Sequence, residues 1–380
     1  MYLIRPNQSN CYQDTIKDRA IEMPLWLLLM SNLFRNARII DAEADNLSNE
    51  QVKDIVKDNK VIILATGSHP SAHVQALDSA QELSKCLTNA HVYNWLSFNP
   101  LNVGCPDYSK LDLNKYRTHG WHCPDKNKRS PYASIFTSIS CPFNCNFCTI
   151  KSFYNSPYKK RQTSLVVEDV YTLYRLGVRN IKIMDELFLV MNNSIETLGF
   201  LLSDIGKEMN MWGYARIDTV NKKNLKSANK MGVTWLGIGI ESGNESIRND
   251  MLKGKFRNER IKEVIKMIQD AGIKVGANYI FGFWEDTLGT MQETLDFAKE
   301  LNTEYANFYC LNVYPGTPVE NNFKEIGVDM PTKSIGHAQL SEYFKPFPTK
   351  TLTGKQVLNF RDNAYKEYYN TNNTLRRIYG

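Results

Sequence analysis

The chain opens on short apolar runs separated by polar, helix-forming stretches. Tyr2–Arg5, Arg38–Asp41 and Val61–Ala65 are dense in apolar residues and too short for helices, so each reads as a buried strand; His91–Trp95 reads as a fourth. Met23–Phe34 reads as a buried helix entered through Pro24, because a proline's missing N–H costs nothing in a first turn. Asn49–Val56 reads as a helix capped by Ser48, with Gln51 placed to complete a capping box, and Val74–Leu87 as another helix. Strand–helix alternation of this length predicts a doubly wound parallel sheet, whose ligands sit beyond the carboxyl ends of its strands. The loop Gly67-Ser68-His69 follows directly on the third strand and takes that place.

Residues 96–131 change character. Asn99-Pro100, Cys105-Pro106, His119-Gly120 and Cys123-Pro124 are turn signals, and the segment reads as a connector with Trp121 and His122 its most conspicuous side chains. From Tyr132 the alternation resumes. Candidate strands are Ser134–Ser138, Asn180–Met184, Met211–Ala215, Thr234–Ile240, Lys274–Phe281 and Asn307–Val313. Ile261, Val264, Ile265 and Ile268 recur at helical spacing before a stop at Gly272, and a second helix runs from Thr163 to a stop at Gly177. Repeated strand–helix units without a long break predict a six-stranded, partial TIM-type barrel. Residues 319–380 form a C-terminal segment that ends in a helix from about Thr353 to Tyr369.

Composition changes this picture little. Hydrophobic residues at 42% and charged residues at 23% are ordinary globular usage. The longest apolar run, Leu25–Met30, falls far short of the ~18 residues of a membrane span. Met1–Gln8 lacks a basic-then-apolar signal pattern, so a cytoplasmic protein without a membrane span is expected. The net charge of +6 is largely local: residues 345–380 carry seven Lys/Arg against Asp362 and Glu367. There, basic residues interleave with Tyr365, Tyr368 and Tyr369; a solvated helix face with a tyrosine packing stripe is the expectation, and a nucleic-acid partner is not.

The chemistry lies in the cysteines. Eight are too few for a disulfide scaffold, but Cys141, Cys145 and Cys148 fall within eight positions, just past the first barrel strand. Three soft ligands on one tight loop suit an iron–sulfur cluster or zinc. A structural zinc would need a fourth ligand, for which His119, His122 or Cys123 is near in sequence; on that reading the chain is a non-enzymatic zinc-binding module. The other reading is a 4Fe–4S cluster with one iron left open.

Cys-x3-Cys-x2-Cys with Phe147 before the third cysteine resembles the signature of radical S-adenosylmethionine (radical SAM) enzymes. Other segments fall in register with it. Met184-Asp185-Glu186 stands where the family binds the cofactor's amino group; it departs from the commonest Gly-Gly-Glu form and resembles the acidic variant of the cobalamin-linked branch. Tyr214-Ala-Arg-Ile-Asp218 and Gly237-Ile-Gly-Ile-Glu241 end the third and fourth strands. The resemblance, which covers residues 132–318, implies that the open iron chelates S-adenosylmethionine and that an electron from the cluster cleaves it to a 5′-deoxyadenosyl radical. It implies that Asp185 and Glu186 accept from the cofactor's ammonium and that Arg216, as a planar fork, pairs with its carboxylate, with Asp218 and Glu241 close by. It also implies an electron donor such as flavodoxin or ferredoxin.

The front of the chain resembles the cobalamin-binding domain of one large branch of this family. Ile39-Ile-Asp-Ala-Glu43 and Ala65-Thr-Gly-Ser-His-Pro-Ser71 carry that likeness, with Leu111–His122 similar to the branch's linker. The implied organisation is a Rossmann-like cobalamin-binding-type domain over 1–98, a linker over 99–131, the radical SAM barrel over 132–318 and the C-terminal segment over 319–380. The implied activity is cobalamin-dependent methylation of an unactivated carbon of a small-molecule substrate, with Gly67, Ser68 and His69 at the cobalamin. No Asp-x-His-x-x-Gly is present, so a histidine ligand to cobalt is not indicated. The alternative within the family is hydrogen abstraction without cobalamin, in which Cys310 would act as a hydrogen donor or remain an ordinary buried cysteine.

Overall fold

A computed structural model describes residues 1–8, 20–65, 70–94, 99–150, 157–251, 253–331, 334–339 and 343–371. The chain forms two compact units, one of Met1–Ile139, Lys159–Met184 and Pro331–Phe344, the other of Ser140–Tyr158, Asp185–Met330 and Lys345–Gly380.

In the first unit, β1 (Tyr2–Arg5), β2 (Arg38–Asp41), β3 (Val61–Ala65) and β4 (Ala90–Asn94) form a parallel sheet in the order β2-β1-β3-β4. This is the doubly wound arrangement the alternation calls for, and β3 is buried along its whole length. Helix α2 (Asn49–Val56) carries the expected capping box, with Ser48 and Gln51 bonded reciprocally. Helix α1 (Leu25–Met30) is wholly buried but ends four residues earlier than the expected helix Met23–Phe34. Ser31 Oγ donates back to the Leu28 carbonyl at 2.7 Å and Asn32 Nδ2 to that of Cys105 at 2.7 Å, so polar side chains take over where the helix stops. Helix α3 spans Pro70–Cys86. At the carboxyl ends of β1 and β2 the Arg5 fork grips both oxygens of Asp41 at 2.7 and 2.9 Å, and Tyr116 Oη adds a bond to Asp41 at 2.8 Å. Gly67, Ser68 and His69 lie outside the described residues.

The connector is more ordered than its turn signals suggest. It holds four single-turn 3-10 helices, and the side chains of Asn99, Asp107, Asp112 and Asp125 each cap one by accepting from the backbone N–H two residues on. The expected strand Ser134–Ser138 is split in two: β5 (Tyr132–Ile135), then β6 (Ser138–Ile139), which pairs antiparallel with β7 (Lys159–Lys160). Helix α4 (Thr163–Arg175) stops at Gly177 with φ +82°, and β8 (Asn180–Ile183) runs parallel to β5. Arg161, at the entrance to α4, and Asp169, within it, form a fully buried ion pair.

In the second unit, β9 (Asn210–Ala215), β10 (Val233–Glu241), β11 (Lys274–Phe281) and β12 (Tyr305–Cys310) are all parallel, in the order β12-β11-β10-β9. Helices α5 (Asn192–Leu201), α6 (Lys222–Lys230), α7 (Glu245–Asp250), α8 (Asn258–Asp270), α9 (Leu288–Leu301), α10 (Pro318–Glu325) and α11 (Gly354–Thr371) alternate with the strands and follow the last. Helix α8 buries Ile261, Val264, Ile265 and Ile268, the spacing that announced it. Strand β12 begins two residues earlier than expected and ends at Cys310, because Leu311 and Val313 join a cluster with Phe283, Val319, Phe323 and Phe347. All six strands expected after Tyr132 are thus present, and the α/β, parallel-sheet reading holds.

Helix α11 closes the edge of β12. Tyr365 and Tyr368 pack edge-on against Phe308, Tyr368 Oη donates to the Thr303 carbonyl at 3.0 Å, and Tyr369 Oη accepts from Ala306 N–H at 3.2 Å and donates to Ala306 C=O at 2.7 Å. The tyrosines are a packing stripe, as expected. Arg376 and Arg377 lie outside the described residues. Cys310 is buried in β12, its thiol pushed up to about 12 by that burial, as in a core cysteine.

Candidate iron–sulfur site

The second unit gathers most of the candidate residues. Its cysteine loop is pinned through Asn146, which the sequence reading missed. Asn146 N–H donates to the Met251 carbonyl at 3.3 Å, its Nδ2 to that of Asp250 at 3.1 Å, and its own carbonyl accepts from Val319 N–H at 3.3 Å. Phe147 turns into the apolar cluster and meets Phe283 edge-on at 5.7 Å, so the residue before the third cysteine anchors the loop.

Cys141, Cys145 and Cys148 are free and partly accessible. Cys141 lies within electrostatic reach of Cys145, Arg216 and Glu186, and Cys148 of Cys141, Cys145 and Glu186. Burial raises the Cys141 thiol and pushes Cys148 up to about 12. Among the described residues no three His, Cys, Asp or Glu side chains are already gathered as a cage. The fit to a metal rests instead on the donor set. It comprises three thiols on one loop, soft donors of the kind such a metal takes, with Arg216 Nη1 donating to Cys145 Sγ at 3.1 Å.

Arg216 does more than the sequence suggests, and something different. Its Nε and Nη2 form a fork onto Asp218 at 2.9 Å each, its Nη2 also donates to the Lys253 carbonyl, and its guanidinium lies 3.8 Å from the centroid of the Phe143 ring. The fork expected for a cofactor carboxylate is therefore closed on Asp218, and the remaining nitrogen faces a cysteine. Asp218, two residues on at a strand end, is short and close enough to take that fork.

Glu241 ends β10 with φ +67°, in the left-handed region that a β-carbon disfavours. Its Oε1 accepts from Lys253 Nζ at 2.7 Å, and both side chains are about one-tenth exposed. A β-carbon on Gly239 would stand 2.3 Å from Glu241 Oε1 and 2.8 Å from Lys253 Nζ, so this glycine makes room for the pair. Gly237 yields in the same way to the Tyr214 ring. Asp185 is buried and Glu186 half-buried after β8, where the sequence put them; neither starts a helix, since α5 begins at Asn192. The zinc candidates of the first unit serve the connector: His122 bonds to Thr118 Oγ1 at 2.6 Å, Cys123 Sγ to the Asp125 carbonyl, and His119 stacks on Trp121.

Asp286, also missed, organises the turn after β11. Its Oδ2 accepts from Gly282 and Phe283 N–H at 2.9 Å each and its Oδ1 from Thr290 Oγ1 at 2.7 Å, while Gly282 adopts φ +87°. Burial outweighs these bonds and lifts the carboxyl to about 6. A carboxyl raised on folding contributes stability at low pH and loses it as pH climbs through the folded value. Asp286→Asn is expected to remove a loss of roughly 2–3 kcal/mol between about pH 4 and 6. Urea unfolding of both proteins across that range measures it; parallel pH profiles would refute it.

Three thiols on a loop beside a parallel α/β sheet, with an arginine on one sulfur, make a donor set of the metal–thiolate class in an α/β protein. Residues 135–298 match the model described as the Radical SAM superfamily, so this segment is a radical SAM-type domain. That match implies a 4Fe–4S cluster and S-adenosylmethionine and does not favour the reading as a zinc module. An uncharacterised methyltransferase of Pyrococcus horikoshii is 27% identical over 216 residues, 57% of this chain and 45% of that protein. The bacteriochlorophyllide d C-12(1)-methyltransferase of Chlorobaculum tepidum is 25% identical over 294 residues, 76% of this chain and 61% of that protein. The chain thus spans roughly half the length of these relatives. Among solved structures, the radical SAM methyltransferase TsrM of Kitasatospora setae, with cobalamin and a [4Fe–4S] cluster bound, has the same fold: TM-score 0.63 at 13% identity, covering 87% of this chain and 79% of that one. No helix among the described residues is long and apolar enough to cross a membrane.

Proposed function

We propose that this chain is a cobalamin-dependent radical SAM methyltransferase acting on an unactivated carbon of a small molecule. The observation that carries the proposal is the three-thiol loop in a chain that also holds a second parallel sheet of order β2-β1-β3-β4. The named relatives and the shared fold with TsrM support the methyl-transfer part.

Cys141, Cys145 and Cys148 would hold the cluster, which when bound supplies the electron that cleaves the sulfonium C–S bond of S-adenosylmethionine. Arg216 donates to Cys145 Sγ and is itself fixed by Asp218. Asp185 and Glu186 offer carboxylates to the cofactor's ammonium, and Glu241 an acceptor at the end of β10. We assign residues 1–98 to cobalamin, with Gly67, Ser68 and His69 in the loop where a doubly wound sheet receives its ligand, 99–131 to a linker, 132–318 to the radical SAM core and 319–380 to a C-terminal segment. A flavodoxin or ferredoxin in the cytoplasm would serve as electron donor.

The test is anaerobic reconstitution with iron, sulfide and hydroxocobalamin, followed by reduction in the presence of S-adenosylmethionine. Corrinoid absorbance retained through gel filtration, with both 5′-deoxyadenosine and S-adenosylhomocysteine formed, is the expected result. A loaded cluster with no corrinoid uptake and 5′-deoxyadenosine alone would overturn the methyl-transfer part.

A further inference from the structure

The segment after α7 is bonded to three parts of the site at once. Asp250 and Met251 give their carbonyls to Asn146 in the cysteine loop. Lys253 gives its carbonyl to Arg216, which in turn touches Cys145, and its ammonium to Glu241. Gly254 follows at φ +148°, where a β-carbon would lie 3.3 Å from Arg216 Nη2, so the backbone passes close under the guanidinium. The bracket joins the loop after β6 to the ends of β9 and β10.

Within it, Lys253 and Glu241 depend on each other. A carboxylate this buried is costly without a cation, and a buried ammonium without an anion equally so. Glu241 also sits in a backbone conformation that surroundings must impose. Lys253 Nζ holds the far end of that side chain, and Gly239 leaves the space that admits the pair. Lys253 engages one oxygen of Glu241, and among the described residues the other accepts no hydrogen bond from the protein.

We infer that Lys253 is a positioning residue: its ammonium fixes Glu241 with one carboxylate oxygen committed and one left for the cofactor. The inference rests on the reading of this site as the S-adenosylmethionine site. It adds a basic residue that acts through Glu241.

The probe is S-adenosylmethionine on the cluster-loaded protein, read by equilibrium dialysis and by the electron paramagnetic resonance change the cofactor causes in the reduced cluster. Lys253→Met is expected to weaken binding by roughly tenfold or more with iron per chain unchanged. Lys253→Arg restores most of the affinity. Because Lys253 acts through Glu241, Glu241→Gln with Lys253→Met binds no worse than Glu241→Gln alone. That double variant has no stranded charge, so it remains informative if Lys253→Met alone fails to fold. Wild-type affinity and spectrum in folded Lys253→Met, or losses that add in the double variant, would overturn the inference alone. A wild-type chain that takes up neither cluster nor cofactor overturns the reading of the site and the inference with it.

Discussion

Alanine at any one of Cys141, Cys145 or Cys148 is expected to abolish cluster binding. Iron per reconstituted chain should fall from about four to near zero, and cleavage of S-adenosylmethionine by more than roughly a hundredfold. The three sit on one loop, and the first unit's candidates are committed elsewhere, Cys123 to the Asp125 carbonyl and His122 to Thr118. Cys123→Ala should therefore load iron like the wild type. Iron analysis with visible absorption decides both points; undiminished iron in the single-alanine proteins would remove the assigned ligand set.

The largest expected loss of stability lies elsewhere, in the buried pair of Arg161 and Asp169. Both side chains are fully buried, and among the described residues Asp169 Oδ1, Arg161 Nε and the nearby Tyr108 Oη make no hydrogen bond of good geometry. Burial raises the Asp169 carboxyl even with the guanidinium bonded to it, so desolvation outweighs attraction here. Arg161→Met leaves that carboxylate alone in the core and should cost ~3–5 kcal/mol. Adding Asp169→Leu should return much of it, since two apolar groups leave nothing unpaired. Urea denaturation of the single and double variants measures this; equal losses would show that packing, and not the stranded charge, is what matters.

The parts of the fold set by local pattern were legible. Gly272 and Gly177 end α8 and α4 because only a glycine takes their positive φ easily, and Ser48 with Gln51 caps α2 through bonds spanning three residues. The cysteine loop was legible because its spacing is its chemistry. What was not legible depends on chain brought together from a distance. Lys253 gains meaning only beside Glu241, twelve residues away and across α7, and Asn146 only beside Met251 and Val319. Arg216 was found in sequence, and the structure adds the geometry of its fork onto Asp218. The reach of β12 was misjudged because Leu311 and Val313 look like strand but serve a cluster beyond it.

The hydroxyl of Tyr369 has a consequence for solubility. β12 stands at the end of its sheet order, where a strand's unspent N–H and C=O groups are a template for another chain. Tyr369 Oη takes both groups of Ala306, and Tyr368 takes the Thr303 carbonyl just before the strand. A single phenol thus stands in for a neighbouring strand, blocking sheet extension while adding no strand of its own. Helix α11 is in this sense a stopper: it lets an open sheet present a parallel edge without inviting a second copy to continue it.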